Sequence, residues 1–374
     1  MIRVLHVVPR FALGGGERIA MHLLRNSDRT RFTPRAISLF VRQDTDIEES
    51  LDRDSIKVDY LGKAPGFDFF AFGKISAVIR DYQPHIIHTH LYAFRYMVPT
   101  LVSHRGKIAG VHTLHNLAQR EAFRKDQMVW SFAFRHLHVT PVAIAEAVQE
   151  SIREVYGIES PLISNGIPVD DYQLDSDRRK VWRTEHNIQP SDVVMVSLGR
   201  LVRQKNQQLI LSAMAKIAPR LPFLRCLFVG DGELAEELKR QSARLALQDR
   251  VEFLGTRCDI PDILAAADFG ILSSDWEGNP LSVMEIMAAG KPMLATAVGG
   301  VPDLVPGDAG IVVPPGNEDA LADGLFRIAS NPRLRASMGV SAQQFARLRF
   351  GAAAMTREYE ALYESLVLAR ALPM

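Results

Sequence analysis

The sequence predicts an α/β protein built from two doubly wound, parallel-sheet, Rossmann-like domains that face a central cleft. Three observations carry this. Short β-branched runs alternate with helical patterns along the whole chain, as expected of parallel strands covered by helices on both faces. A length of 374 residues holds two cores of about 150–190 residues each. The alternation also restarts near Asp192, after the polar, unperiodic stretch Ile167-Pro-Val-Asp-Asp-Tyr-Gln-Leu-Asp-Ser-Asp177. The expected plan is a first domain over 1–170, a linker over 171–190, a second domain over 191–348 and a C-terminal helix over 349–374.

In the first half, strands are expected at Ile2–Val8, Pro34–Phe40, His85–His90, Lys107–Leu114, Val142–Ala145 and Pro161–Ile163, with helices including Phe72–Tyr82 and Arg95–His104. In the second half they are expected at Asp192–Leu198, Leu224–Val229, Val251–Leu254, Phe269–Leu272, Pro292–Thr296 and Gly310–Val313, with a helix over Gln207–Ala218. Sheets of this kind bind ligands outside the carboxyl ends of their strands, so the loops that follow the strands are where chemistry is sought.

Composition narrows the class. Apolar residues make up 47% and charged residues 23%, with a net charge of +1, so nothing global points to nucleic acid. Cys226 and Cys258 form no C-x-x-C pair and suit a reducing compartment. No apolar run approaches a membrane span, and Met1–Val8 is too short for a secretory signal. A cytoplasmic protein is expected.

The most specific motif is Asp275-Trp-Glu-Gly-Asn-Pro-Leu-Ser-Val-Met-Glu285. Asn279-Pro280 break the apolar run Phe269–Ser274, and Ser282 is placed to cap a helix that stops at Gly290. Its first amides, at Leu281 and Ser282, attract an anion. Glu277 in the loop with Gly278 and Asn279, and Glu285 in the first turn, could then hold sugar or ribose hydroxyls beside a diphosphate. Ser282-x-x-Glu285 also fits a capping box, in which Glu285 has a purely structural role. In Ser197-Leu-Gly-Arg-Leu-Val-Arg-Gln-Lys-Asn206, Arg200 and Lys205 lie five residues apart across a turn and could converge on one diphosphate. The arginine would act as a planar fork and the lysine as a point charge, with solvated surface cations as the alternative. Gly14, Gly15 and Gly16 after the first strand, and Gly230 after a later one, allow close backbone approach or plain turns.

These segments together resemble the E-x7-E signature and the phosphate-binding elements of retaining glycosyltransferases with the GT-B fold, glycosyltransferase family 4. The resemblance covers nearly the whole chain and is strongest over Val193–Val313. It implies that Arg200 and Lys205 bind the donor phosphates and stabilise the leaving group, with Glu277 on the sugar and Glu285 on the ribose. It also implies that Gly15 and Gly16 face donor and acceptor, Gly230 lies near the nucleotide and the backbone at Arg257 lines the base. His115, in a Thr-x-His element, would contact the donor sugar, with His112 a competitor for that place and His90 a candidate on the acceptor side. The terminal helix would return to the first domain.

The expected activity is metal-independent transfer, with retention, of a hexosyl-type unit from a nucleotide diphosphate sugar. A UDP-sugar is favoured and a GDP-sugar is the alternative. The acceptor would be a hydroxyl of a glycan or lipid-linked molecule in cell-surface polysaccharide or glycolipid synthesis. A nucleotide-sugar epimerase or a non-catalytic nucleotide-sugar-binding protein on the same fold are the rivals. No cofactor is expected, and two organic cations with helix amides supply what Mg²⁺ would. Three D-x-D matches, Asp44-Thr-Asp46, Asp52-Arg-Asp54 and Asp175-Ser-Asp177, fall in polar connections and are read as chance. Arg95, Arg105, Lys107, Arg120, Arg124, Lys125 and Arg135 with Trp130, Phe132 and Phe134 form either a solvated face over core aromatics or a peripheral contact with anionic lipid.

Overall fold

Five of the expected runs and one further short segment, Val58–Tyr60, become β1 (Ile2–Val8), β2 (Phe32–Ser38), β3 (Val58–Tyr60), β4 (Ile86–His90), β5 (Ala109–Leu114) and β6 (Val139–Ala143). All pair in parallel, in the order β3-β2-β1-β4-β5-β6. Six more form a second parallel sheet: β7 (Val193–Leu198), β8 (Leu224–Val229), β9 (Val251–Gly255), β10 (Phe269–Leu272), β11 (Met293–Thr296) and β12 (Gly310–Val313), in the order β12-β11-β10-β7-β8-β9. The central strands β4, β7 and β10 are buried at every position. Helices on both faces leave no polar side to alternate toward. In each sheet the winding reverses once, between β1 and β4 and between β7 and β10, and each reversal opens a crevice at the carboxyl ends of its two strands.

The computed structural model describes residues 1–104, 106–173 and 176–371. It divides into a unit of Met1–Gly166 with Ala352–Met374, and a unit of Ile167–Gly351. Three boundaries differ from the sequence reading. β3 is an edge strand of three residues, too short to leave a pattern, and Pro161–Ile163 contributes only an isolated bridge from Leu162 to Ala143. The helix expected to start at Arg349 begins at Ala352, because Pro332–Arg349 is a separate helix.

The third difference concerns the expected linker. Val169–Tyr172 is a 3₁₀ turn and Ser176–Glu185 an α-helix that packs on Ile260–Ala266. Arg179 Nη1 lies 3.0 Å from the carbonyls of Ala265, Ala266 and Ala267, and Arg183 Nε 3.0 Å from that of Ala266. Lys291 Nζ adds a bond of 2.7 Å to Ala267. These are the carbonyls left over at a helix carboxyl end, where cations are favoured. Both arginines also pair with Asp268, at 2.7 and 2.8 Å, and Asp268 accepts the Val194 amide of β7 at 2.8 Å. A segment that reads as polar is therefore bolted to the strand at the reversal.

Within the first unit the terminal helix Ala352–Ala371 buries Tyr359 and Tyr363. Their hydroxyls meet Thr113 Oγ1 at 2.8 Å and His88 Nδ1 at 2.6 Å. Glu360 accepts the Asp28 amide at 2.8 Å, and Glu364 pairs with Arg31.

Asp268→Ala should destabilise the protein by about 3–5 kcal/mol, because the buried Arg183 loses the carboxylate it pairs with. Urea unfolding checks this; a loss of under about 1 kcal/mol would mean that hydration of the arginines offsets the missing carboxylate.

Candidate active site

The two strands that flank the reversal in the second sheet carry loops that are stitched together. β7 ends at Leu198, Gly199 turns, and a 3₁₀ turn at Arg203–Lys205 leads into the helix Gln207–Ile217. β10 runs on through Ser273 and Ser274 to the loop before the helix Leu281–Ala288. The Ser273 hydroxyl is shared between the carbonyls of Lys205 and Asn206, at 2.9 and 2.8 Å. Asn206 Nδ2 donates to Asp275 Oδ1 at 2.8 Å, and Gln204 Nε2 to the Trp276 carbonyl at 2.8 Å. With the loops fixed, Lys205 Nζ lies 2.6 Å from Glu277 Oε1, the side chains 15% and 6% exposed. Ser274 Oγ donates to the same oxygen at 2.6 Å. Glu277 Oε2 receives no hydrogen bond among the described residues, which leaves an acceptor for a ligand hydroxyl.

The neighbouring strand ends complete this edge. Gly230, after β8, has φ +133°, and a Cβ there would lie 2.1 Å from the Gly199 carbonyl oxygen, so only glycine lets the two turns touch. After β11, the Gly300 amide donates to the Gly278 carbonyl at 2.7 Å, and Thr296 Oγ1 to that of Ser274 at 2.7 Å. Asn279 is buried beside Glu277 in the loop. Arg200 is exposed and makes no ion pair among the described residues, although its carbonyl accepts Gln207 Nε2 at 2.9 Å. Arg257 lies beyond β9, its guanidinium held by Asp259 at 2.6 Å.

Two expectations for the helix are corrected. Pro280, not Ser282, is the N-cap, and no side chain caps this end. Leu281 and Ser282 are thus the first two helical residues and Glu285 falls in the second turn, so the capping box does not form. The Glu285 carboxylate, 3% exposed, instead accepts the Tyr172 hydroxyl at 2.8 Å.

In the first unit, Gly14 is the N-cap of the helix Gly15–Asn26 after β1. A Cβ on Gly16 would approach Leu91 Cδ2 at 3.0 Å and His115 Cδ2 at 3.2 Å, so the absence of a side chain lets the helix start close against His115. Leu91, next after β4, has φ +55°, a costly conformation for a leucine. His90 is fully buried. Its Nε2 lies 3.3 Å from His6 Nδ1 and its Nδ1 lies 3.1 Å from His115 Nε2. This corrects the acceptor assignment, because both nitrogens of His90 are taken by other histidines. His112 is also fully buried, stacked on Phe94 at 4.4 Å with Nδ1 at 2.9 Å from Thr89 Oγ1; it belongs to the core and does not compete with His115.

Burial holds these rings neutral. It pushes His115 down to about 4 and His6 and His112 to about 3, and lowers His90 well below the ordinary range. Glu121, which accepts the amides of His115 and Asn116, is raised to about 8 by burial. His6, His88 and His90 offer nitrogens within 4.8 Å of one another. Both nitrogens of His88 are already bonded, to Tyr363 and Thr113, and a metal would have to break these contacts. Of the D-x-D matches, Asp44 and Asp52 pair with Arg42 at 2.6 Å, and Asp54 with Arg25 at 2.5 Å. Asp175 lies outside the described residues.

The family model of Glycosyltransferase Family 4 matches residues 13–171, and that of Glycosyl transferases group 1 matches residues 178–345. The chain belongs to this glycosyltransferase family. It is 24% identical to the UDP-Gal:alpha-D-GlcNAc-diphosphoundecaprenol alpha-1,3-galactosyltransferase of Escherichia coli over 346 residues, 88% of each chain. It is 29% identical to the N-acetyl-alpha-D-glucosaminyl L-malate synthase of Bacillus anthracis over 182 residues, a match that spans only 48% of either chain. The crystal structure of Anabaena Alr3699/HepE in complex with UDP shares its fold, with a TM-score of 0.84 at 22% identity, covering 97% of this chain and 100% of that one.

For this family member, sequence reasoning passed over Ser274 and Tyr172 in the second unit and Glu121 in the first, each joined by the structure to a candidate site residue of its own unit. Ser274 ends the apolar run Phe269–Ser274, and Gly299 carries no side chain, so it can approach the Glu277 carbonyl oxygen, which a Cβ would meet at 2.0 Å. Tyr172 reaches Glu285 from 113 positions away, and Glu121 accepts the amides of His115 and Asn116. None carries a local signal beyond its residue type.

The neutral histidines make stability depend on pH. An unfolded histidine takes up a proton near pH 6.5, whereas His6 and His112 resist until about 3. Stability is therefore complete above about pH 6.5 and falls as pH drops, by up to about 1.4 kcal/mol per pH unit for each ring. Denaturation at about pH 7.5 and about pH 5.5, followed by hydrogen exchange in β1, β4 and β5, should show a loss of several kcal/mol; equal stability would mean that the rings are hydrated.

Proposed function

We propose that this chain transfers a glycosyl unit from a nucleoside diphosphate sugar, a UDP-sugar, to a hydroxyl of a glycan or lipid-linked acceptor, with retained anomeric configuration and no bound metal. The observation that carries this reading is the Lys205–Glu277 pair at the winding reversal, 2.6 Å apart and largely buried, with exposed Arg200 on the same loop.

Breaking the anomeric C–O bond puts negative charge on the departing diphosphate, while the sugar becomes oxocarbenium-like. Arg200, Lys205 and the uncapped amide end at Leu281–Ser282 meet that charge where it develops. Glu277 holds sugar hydroxyls through Oε2, its Oε1 being fixed by Lys205 and Ser274. Glu285, oriented by Tyr172, holds the ribose, while the turn at Gly230 and the backbone at Arg257 border the nucleotide. Gly278 and Asn279 shape the loop between the two glutamates. Gly15, Gly16 and His115 of the first unit serve the sugar-transfer step, with His115 contacting the donor sugar. The departing phosphate takes the acceptor proton, so no carboxylate pair flanks the bond as in a glycosidase.

Two relatives support the substrate classes. The Escherichia coli enzyme is named for a UDP-sugar donor and a diphosphoundecaprenol acceptor, and the Anabaena protein was crystallised with UDP. Among the described residues no helix is long and apolar enough to cross a membrane. A peripheral lipid contact is supported by exposed Phe123, Met128 and Phe132 around the helix Arg124–His136, with Arg120, Arg124 and Lys125 beside them. Trp130 and Phe134 are core residues, so they drop out of that surface. Arg95 pairs with Asp126 at 2.8 Å, and Arg105 lies outside the described residues.

Arg200→Ala and Lys205→Met should each lower kcat by about two to three orders of magnitude, measured with whichever of UDP-, GDP- and ADP-sugars raises the melting temperature. Arg200→Ala should leave that temperature unchanged, since the side chain is exposed; wild-type turnover in both variants would remove the phosphate assignment. Activity abolished by EDTA and restored by a divalent cation would defeat the metal-free mechanism. Flotation with vesicles containing anionic phospholipid should show salt-sensitive binding that Phe123→Ser with Phe132→Ser abolishes, and binding unaffected by salt and by both substitutions would retire the lipid contact.

A further inference from the structure

The first unit aligns three histidines on adjacent strands without an obvious structural need for them. His6 of β1 and His88 of β4 stand in register, and His90 follows two residues on, with its side chain on the same face. Three buried imidazoles are an expensive way to fill a core, because each must keep its polar atoms satisfied. The His6 and His90 rings are nearly parallel, 12° apart, and those of His90 and His115 are inclined by 32°. His88 lies against His90 at 4.2 Å between centroids, yet its nitrogens turn to Tyr363 and Thr113. It walls the chain without interrupting it, and the terminal helix closes the far side.

We propose that His6 and His90 are positioning residues: the hydrogen-bonded chain His6–His90–His115 orients the His115 ring and fixes its tautomer, so that His115 meets a sugar hydroxyl through Nδ1. This rests on the reading of His115 as a donor-sugar contact.

The argument is one of proton counting. A neutral imidazole has one N–H donor and one bare acceptor. His90 uses both nitrogens within the chain, so the chain has a direction. If His6 donates from Nδ1, then His90 must donate from Nδ1 to His115 Nε2, and His115 carries its proton on Nδ1. If the direction is reversed, all three rings carry the proton on Nε2. In either case the three share one tautomer, and the state of His6 dictates whether His115 Nδ1 is a donor or a bare acceptor. His115 Nε2 is occupied both ways. Nδ1 makes no hydrogen bond among the described residues, which leaves it for a ligand. Burial keeps all three rings neutral near pH 7, the condition under which such a chain stays directional.

Selective ¹⁵N labelling of histidine in the full chain, read by long-range ¹H–¹⁵N correlation near pH 7, reports which nitrogen of each ring is protonated. The three rings should show the same tautomer; unlike tautomers, or a protonated ring, would overturn the chain without recourse to any variant. In His6→Phe, which keeps a ring of similar size, the His115 tautomer should redistribute and kcat should fall about tenfold, with the donor KM changed by less than about twofold. An unaltered His115 spectrum and unaltered kcat would overturn the positioning role. Wild-type transfer by His115→Phe would instead sink the reading of His115 as a sugar contact, while the tautomer result stood on its own.

Discussion

The ion pair between Lys205 and Glu277 is the constraint around which the second unit is organised. The pair is largely withdrawn from water, so losing either partner strands a charge, and the pair holds only in good geometry. That geometry comes from elsewhere: a serine hydroxyl shared by two carbonyls, an asparagine and a glutamine crossing between loops, and a second serine on the same carboxylate oxygen. All but the last join the segment after β7 to the segment after β10, the two strands at which the sheet reverses its winding, and the last lies within the segment after β10. A lysine and a glutamate 72 positions apart thus become a fixed unit, with one oxygen and a neighbouring arginine still open to a ligand.

The first unit solves a related problem with neutral groups. Its reversal, between β1 and β4, carries histidines where the second unit carries ions, and burial suppresses their charge. A neutral imidazole donates and accepts at opposite ends of one rigid ring, whereas a carboxylate only accepts and an ammonium only donates. That property suits a surface that must present a hydrogen-bonding group without introducing charge. The contact of Gly16 with His115 and the left-handed Leu91 show how closely the loops after β1, β4 and β5 are fitted together.

Much of this was legible in the chain, for a physical reason. Strands buried on both faces are continuous apolar runs, and eleven of the expected runs correspond to strands, with ends displaced by up to three residues. The motif positions Lys205 and Glu277 were legible because a turn and a helix start constrain their own neighbourhoods. What could not be read was anything whose meaning depends on a distant partner. The helix Ser176–Glu185 reads as a solvated linker until Asp268 and the carbonyls of Ala265–Ala267 are set against its arginines. Tyr172 is an ordinary turn residue until it meets Glu285. Ser282 was misplaced by two positions because Pro280, with φ −73° and ψ 121°, already takes the cap.

The Tyr172 contact also bears on how the surroundings of Glu285 are built. Glu285 lies in a helix interior with 3% exposure, where an unpartnered carboxylate would be strongly disfavoured. The tyrosine hydroxyl satisfies one oxygen and thereby sets the rotation of the carboxylate, a task a capping box would have given to the backbone. Tyr172 belongs to the 3₁₀ turn at the start of the second unit, immediately before the stretch that leads into the helix held by Asp268. The segment that begins the second unit is therefore anchored twice, once at Asp268 and once at Glu285, the residue proposed to hold the ribose. A ligand that competes for Glu285 acts on the chain at its point of entry into this unit, which makes the tyrosine part of the site and not only of its scaffold.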